Sequence, residues 1–166
     1  HKAGIQGVRT VSGDACELDA VLTSFDAMLG EPVKFDTVFI DAPCSGTGTM
    51  RRHPEIPWRL TENDVTAELP KLQLTMLKEA SARVAAGGEL IYATCSVFDE
   101  ENTHVVDAFL ASPEGADFSV APLSEAQILQ LLEFDQAKKN NRGLFQSVPV
   151  NADSYDGHFC ARLIHK

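Results

Sequence analysis

Close cysteine pairs are absent from this sequence. Its four cysteines, Cys16, Cys44, Cys95 and Cys160, lie far apart and form no C-x-x-C. Structural zinc sites draw their ligands from close pairs, so no metal centre is expected. A disulfide framework is also disfavoured, because 44% of the residues are hydrophobic and no secretion signal leads the chain. Reduced thiols in a cytoplasmic protein are the expectation. Basic residues are scarce: Lys plus Arg number 14 against 24 Asp plus Glu, a formal net charge of -10. A module that grips polyanions through bulk charge is therefore disfavoured. No apolar run approaches the roughly 20 residues of a membrane span, so no membrane partner is expected. Position 1 is His1 rather than methionine, and the chain reads as a piece of something longer.

What is present is alternation between two periods. Val8 to Val11 reads as a short strand closed by Ser12-Gly13-Asp14. Ala15 to Leu29 has helical spacing at Leu18, Val21, Leu22, Phe25 and Leu29, with Gly30 as a stop. Phe35 to Ile40 is β-branched and aromatic, the pattern of a buried strand, and it ends at Asp41-Ala42-Pro43-Cys44. Ser45 to Thr49 is a Gly-rich loop, and Pro54, Pro57 and Trp58 continue irregular structure. Thr61 with Asp64 is a helix-start signal. Pro70 starts or interrupts a helix whose apolar face is Leu72, Leu74, Met76, Leu77, Ala80 and Val84, ended by Gly87-Gly88. The remaining expectations are a strand from Glu89 to Thr94 and a helix from Asp99 to Leu110 with acids in its first turn. They continue with a short strand from Phe118 to Ala121, a helix from Leu123 to Phe134, a polar loop from Lys138 to Gly143 and a last strand from Phe159 to Ile164. Strands alternating with helices predict an α/β fold with a mainly parallel sheet. In such sheets ligands sit beyond the carboxyl ends of the strands. Asp14, Asp41 to Cys44, and Thr94-Cys95-Ser96 all end strands in this way.

Two thiols and a carboxylate at neighbouring strand ends are a chemical constellation. Each cysteine alone reads as a small packed residue. Together, on adjacent parallel strands, Cys44 and Cys95 come close to each other and to Asp41. A rigid Pro43 fixes the backbone direction, and the small residues after Cys44 allow a ligand to approach closely.

These stretches resemble the Sun (Fmu) family of RNA cytosine-5 methyltransferases. Phe35 to Thr49, followed by Arg51-Arg52-His53-Pro54-Glu55-Ile56-Pro57-Trp58, is similar to the family's motif IV and its extension. Gly87 to Ser96, followed by Glu100-Glu101-Asn102, is similar to motif VI. Asp156-Gly157-His158-Phe159 is similar to the C-terminal motif, with His158 departing at one position. The resemblance covers about Asp14 to Lys166.

That resemblance implies a Rossmann-like fold that uses S-adenosylmethionine (SAM) to methylate carbon 5 of cytosine in RNA, with ribosomal RNA favoured over transfer RNA. Cys95 corresponds to the nucleophile that adds to carbon 6 of the ring. Cys44 corresponds to the cysteine that assists breakdown of the covalent adduct. Asp41 is the expected partner of the ring nitrogen at position 3. Asp14, Asp41 and Pro43 are expected around SAM, though a turn aspartate capping the next helix is an equal reading of Asp14. Arg51, Arg52 and His53 form a local basic patch suited to RNA phosphate, or simply a solvated loop. Trp58 either stacks on a base or anchors its loop to the core.

One part of the family pattern is missing. No Gly-rich SAM loop precedes Asp14, and Gly46 and Gly48 belong to the motif IV loop. Residues 1–166 are thus expected to be the C-terminal portion of a single catalytic domain without its N-terminal strands, inactive alone and prone to self-association through a bare sheet edge. Two other readings compete: a DNA-type cytosine methyltransferase with Cys44 as nucleophile, and a non-catalytic RNA-binding or assembly module.

Overall fold

The computed structural model describes residues 7–121, 137–139, 144–149 and 155–166. Helix α1 (Leu18–Leu29) ends at Gly30, as its spacing predicts. Strand β1 (Phe35–Asp41) follows. Then come a 3-10 turn at Thr47–Thr49 and the short helix α2 (Ile56–Arg59), where irregular structure was expected. A wide π turn, Asp64–Glu68, leads into α3 (Leu69–Ser81), with Leu69 N–H donating to the Asp64 carbonyl. Pro70 has no N–H to give the helical ladder, and the wide turn just before it takes up that mismatch. Strand β2 (Val84–Thr94), a 3-10 turn at Asp99–Glu101, α4 (Thr103–Leu110) and β3 (Phe118–Val120) complete the first part. Strands β4 (Ala137–Lys139), β5 (Phe145–Ser147) and β6 (His158–His165) close it.

These six strands form one sheet in the order β1-β2-β6-β5-β4, with β3 also paired to β6. Only β1 and β2 run parallel; β2–β6, β3–β6, β5–β6 and β4–β5 are antiparallel. The α/β class holds, but among the described residues the sheet is mixed rather than mainly parallel. Helix α3 crosses between β1 and β2, which makes that pair parallel, and strands after α4 return antiparallel onto β2 through β6.

One face of the sheet carries the core. Leu90 and Tyr92 of β2, Phe159, Ala161 and Leu163 of β6, and Leu77 and Phe109 of the covering helices are all at most 1% exposed. Each such apolar side chain contributes roughly 1.5–3 kcal/mol by leaving water. The alternation expected for the last strand is present, with Cys160, Arg162 and Ile164 on its other face.

Several expectations fail, for identifiable reasons. Val8 to Val11 is not a strand: both valines are exposed, and no described strand offers that stretch its backbone groups. Strand β1 forms but is not buried, with Phe35 40% and Phe39 61% exposed, because among the described residues it is the edge of the sheet and only its Val38 and Ile40 side packs inward. Gly87-Gly88 does not end α3, which stops at Ser81. The two glycines lie instead in a bulge, where pairing jumps from Phe35↔Val84 to Thr37↔Glu89. Gly87 takes φ 75 there, and a Cβ on Gly88 would sit 2.9 Å from the Asp36 carbonyl. Lys138 and Lys139 are in β4 rather than a loop; Asn140 to Gly143, and the helix expected over Leu123 to Phe134, lie outside the described residues.

Candidate active site

Strands β1 and β2 end side by side. Asp41 pairs with Ala93, and the Ala42 N–H extends the ladder by donating to the Ala93 carbonyl at 2.9 Å. Cys44 and Cys95 therefore emerge together, their Sγ atoms 3.2 Å apart. Both are half-buried. Burial first, and then the Cys95 thiol beside it, push the Cys44 thiol up to about 12. Cys44 thus keeps its proton at neutral pH and can donate it in a hydrogen bond to the Cys95 sulfur. Cys44 also lines a hollow of about 340 Å³ with Ile56, Arg59, Asp64 and Glu68.

Behind the thiols lies a buried polar network. Glu101 is fully buried, and its carboxylate accepts from the Ser45 N–H (2.8 Å), the Gln73 side chain (3.0 Å) and the Ser96 hydroxyl (2.7 Å). Ser45 directly follows Cys44, and Ser96 directly follows Cys95. Asn102, also fully buried, accepts from the Thr94 hydroxyl at 2.6 Å and donates to the Ser96 carbonyl at 2.9 Å. Gln73 donates to the Pro43 carbonyl at 3.0 Å. A signal for Gln73 existed: with Leu77, Ala80 and Ser81 it occupies the i, i+4, i+7, i+8 stripe that α3 buries. For Glu101 the signal was the Glu100-Glu101-Asn102 stretch of the motif VI resemblance, within which nothing local separates Glu101 from Glu100.

A third segment closes over the pair. The Gly48 N–H donates to the Cys95 carbonyl, and the Gly157 N–H donates to the Gly48 carbonyl, both at 2.8 Å. Arg52 Nε donates to Asp156 Oδ2 at 2.6 Å, and Arg51 stands 3.6 Å from Asp156 Oδ1. The three motifs that carry the family resemblance are thus joined backbone to backbone. The Arg52 side chain holds the Asp156 carboxyl below the usual carboxylate range. A depressed carboxyl pKa stabilises the fold above the unfolded value and stops doing so as pH falls through the folded one. The gap in melting temperature between the wild type and Asp156→Asn is therefore expected to be constant above about pH 5 and to close as pH drops below about 4. A gap that widens on acidification would contradict this clasp.

The other expected residues are placed as follows. Asp41 is exposed and borders a hollow of about 260 Å³ with Ala15, Leu18, Val38 and Phe39. Asp14, the residue before the Ala15 wall, accepts from the Cys16 N–H at 2.8 Å, which is the local turn role. Pro43 meets Gln73 through its carbonyl, as above. His53 faces Glu55 at 3.5 Å, and Arg59 faces the same carboxylate at 3.8 Å. The basic patch is therefore interleaved with acids rather than a bare positive surface. Trp58 is 89% exposed, so it does not anchor its loop to the core.

Comparison with known proteins places this arrangement. The chain matches the family described as 16S rRNA methyltransferase RsmB/F over residues 1–164. It belongs to that family. A "Ribosomal RNA small subunit methyltransferase B" from Citrobacter koseri is 51% identical over 134 residues, which are 80% of this chain and 27% of that protein. Its namesake from Salmonella arizonae is 42% identical over 134 residues, with the same coverage. This chain therefore spans about a quarter of the length of these RsmB/F relatives. The crystal structure of NSun6 from Pyrococcus horikoshii with SFG shares the fold, with a TM-score of 0.71 at 22% identity, over 98% of this chain and 35% of that one. The resemblance read from the cysteine motifs is borne out.

Proposed function

We propose that this chain carries the reaction centre of a SAM-dependent ribosomal RNA methyltransferase that modifies carbon 5 of cytosine through a covalent adduct on Cys95. The observation that supports it best is the 3.2 Å contact between the Cys44 and Cys95 sulfurs at adjacent strand ends. Carbon 5 of cytosine is a poor nucleophile. The Cys95 thiolate adds to carbon 6, which makes carbon 5 an enamine carbon. Asp41 holds ring nitrogen 3 in its protonated, electron-poor form. After methylation the C5–H bond breaks, its proton passes to a solvent base, its electron pair forms the C5=C6 bond, and the Cys95 sulfur leaves. The Cys44 S–H donates to that leaving sulfur, a role its raised pKa suits.

SAM, when bound, supplies an electrophilic methyl group. The hollow between Ala15, Leu18 and Asp41 fits one wall of its site, with Asp41 as the acid at its rim and Asp14 the residue that precedes Ala15. About 260 Å³ falls short of the roughly 300–1,000 Å³ of complete ligand pockets. Arg51, Arg52 and His53, all exposed, contact RNA phosphate beside the target base, and Trp58 stacks on a neighbouring base. Membership of an rRNA methyltransferase family counts against the DNA-type and non-catalytic readings.

The test uses the full-length protein, SAM and 16S rRNA transcribed with 5-fluorocytidine. Fluorine at carbon 5 cannot leave as a proton, so the adduct should accumulate and survive denaturing gel electrophoresis, with the RNA on Cys95. Methyl transfer to ordinary rRNA without any such adduct would overturn the covalent reading.

A further inference from the structure

We propose that Glu101 is a positioning residue that holds Cys44 against Cys95, and that it governs release of RNA from Cys95 more than its capture. The proposal rests on the reading of the two cysteines given above.

Regular pairing of β1 and β2 ends at Asp41↔Ala93, before either cysteine is reached. Beyond that point the two branches are supported differently. Around Cys95, the Ser96 N–H donates to the Thr94 hydroxyl (3.2 Å), Asn102 donates to the Ser96 carbonyl (2.9 Å), and Thr94 donates to Asn102 (2.6 Å). These bonds hold the Ser96 backbone without the Glu101 carboxylate, which meets Ser96 through its hydroxyl at 2.7 Å. Around Cys44, the Ser45 N–H ends on Glu101 Oε2, and Gln73, which steadies the Pro43 carbonyl, ends on the same oxygen. The backbone on both sides of Cys44 is therefore tied to Glu101, directly or through Gln73, while the Ser45 hydroxyl makes a separate bond to the Ser96 hydroxyl at 3.2 Å.

A fully buried carboxylate held by neutral donors is costly unless those donors are well placed. An apolar side chain could fill the same space. The carboxylate does what an apolar group cannot: it accepts from the residue after each cysteine at once and so sets the spacing of the two loops. Capture needs only a placed Cys95. Release needs the Cys44 S–H in contact with the leaving sulfur. Losing Glu101 should therefore slow release while sparing capture.

Two variants separate this from mere support of the fold. In Glu101→Gln the amide oxygen still accepts from Ser45 and Gln73, and the amide nitrogen can donate to the Ser96 hydroxyl. In Glu101→Met the volume is kept and both acceptors go. The first measurement needs no RNA. Dibromobimane joins two thiols in contact, each sulfur displacing one bromide, and peptide mapping reads the Cys44–Cys95 link. Glu101→Met is expected to form that link about tenfold more slowly than the wild type, the size of one lost hydrogen bond to a charged group, and Glu101→Gln within about threefold. The second measurement uses the full-length protein with SAM and ordinary 16S rRNA. Glu101→Met should accumulate a covalent adduct that clears about tenfold more slowly, while trapping on 5-fluorocytidine rRNA stays within about threefold.

Wild-type linking by Glu101→Met, or linking and trapping that fall together in both variants, overturns the proposal. If Glu101→Met lacks a cooperative melting transition, Ser96→Ala decides: about threefold slower linking supports the role, and unchanged linking overturns it. If the wild type links its thiols yet never traps fluorinated RNA, the covalent reading fails and the positioning role stands.

Discussion

Cys95→Ala is expected to abolish methyl transfer, and Cys44→Ala to leave the enzyme bound to its own substrate. The two substitutions remove the same atoms from sulfurs that touch at 3.2 Å, yet the chemistry separates them. Without the Cys95 thiolate, carbon 5 never becomes an enamine carbon, and removing an enzyme's nucleophile costs about ten-thousandfold or more. No adduct should form with either ordinary or fluorinated RNA. Cys44 cannot step in, because burial and its neighbour push its thiol up to about 12 and keep it protonated near neutral pH. In Cys44→Ala the nucleophile remains and addition proceeds. What is lost is the hydrogen bond to the departing thiolate, and a hydrogen bond to a charged group is worth about ten- to a hundredfold. Turnover should fall by that factor, and a denaturation-resistant complex should build up on ordinary cytosine RNA, where the wild type shows little. The opposite pattern, with trapping lost in Cys44→Ala and kept in Cys95→Ala, would move the nucleophile to Cys44 and restore the DNA-type reading.

The pairing of these cysteines was legible in the sequence because it needs only two strand ends side by side. β-branched runs ending at Asp41 and Thr94 supplied them, with a helical stretch between to make the strands parallel. Direction elsewhere in the sheet was not legible. Period-two alternation in β6 says which side chains are inside but nothing of whether the strand runs with or against β2, and it runs against. Exposure was misjudged for the same reason: Phe39 belongs to a strand by composition, but what covers a strand is decided by its neighbours. Val8 to Val11 shows the limit from the other side, since its composition does not reveal that no strand among the described residues pairs with it. Buried polar groups were the least legible. Nothing local distinguishes Glu101 from Glu100, and only the three-dimensional convergence of Ser45, Gln73 and Ser96 singles it out.

Gly48→Ala is expected to be among the most damaging single-methyl changes at the described glycines. Small residues after Cys44 suggested room for a ligand. The structure shows that the room is already used by the chain itself. A Cβ on Gly48 would lie 2.1 Å from the Gly157 carbonyl oxygen and 2.8 Å from that of Cys95. Both are backbone atoms of the other two motifs, so no side chain can swing aside; the motifs must part. Parting them breaks the bonds from Gly48 N–H to Cys95 and from Gly157 N–H to Gly48. Overpacking costs about 1–3 kcal/mol, and each buried backbone group left unpaired costs about as much again. A loss of about 3–9 kcal/mol is a large share of the 5–15 kcal/mol that holds a typical domain together. Gly46→Ala makes the contrast. Gly46 has φ 72, so alanine is strained there, but the added Cβ would meet the flexible Ile56 Cδ1 tip at 3.2 Å and Thr49 Oγ1 at an ordinary contact distance of 3.7 Å. That strain costs roughly 1–2 kcal/mol. Urea unfolding of the full-length protein should rank Gly48→Ala well below Gly46→Ala, with Gly157→Ala close to Gly48→Ala because its Cβ meets Val97 Cγ1 at 2.7 Å and Gly48 Cα at 2.9 Å. If Gly46→Ala proves the worse of the two, backbone conformation and not the meeting of the three motifs is what the loop requires.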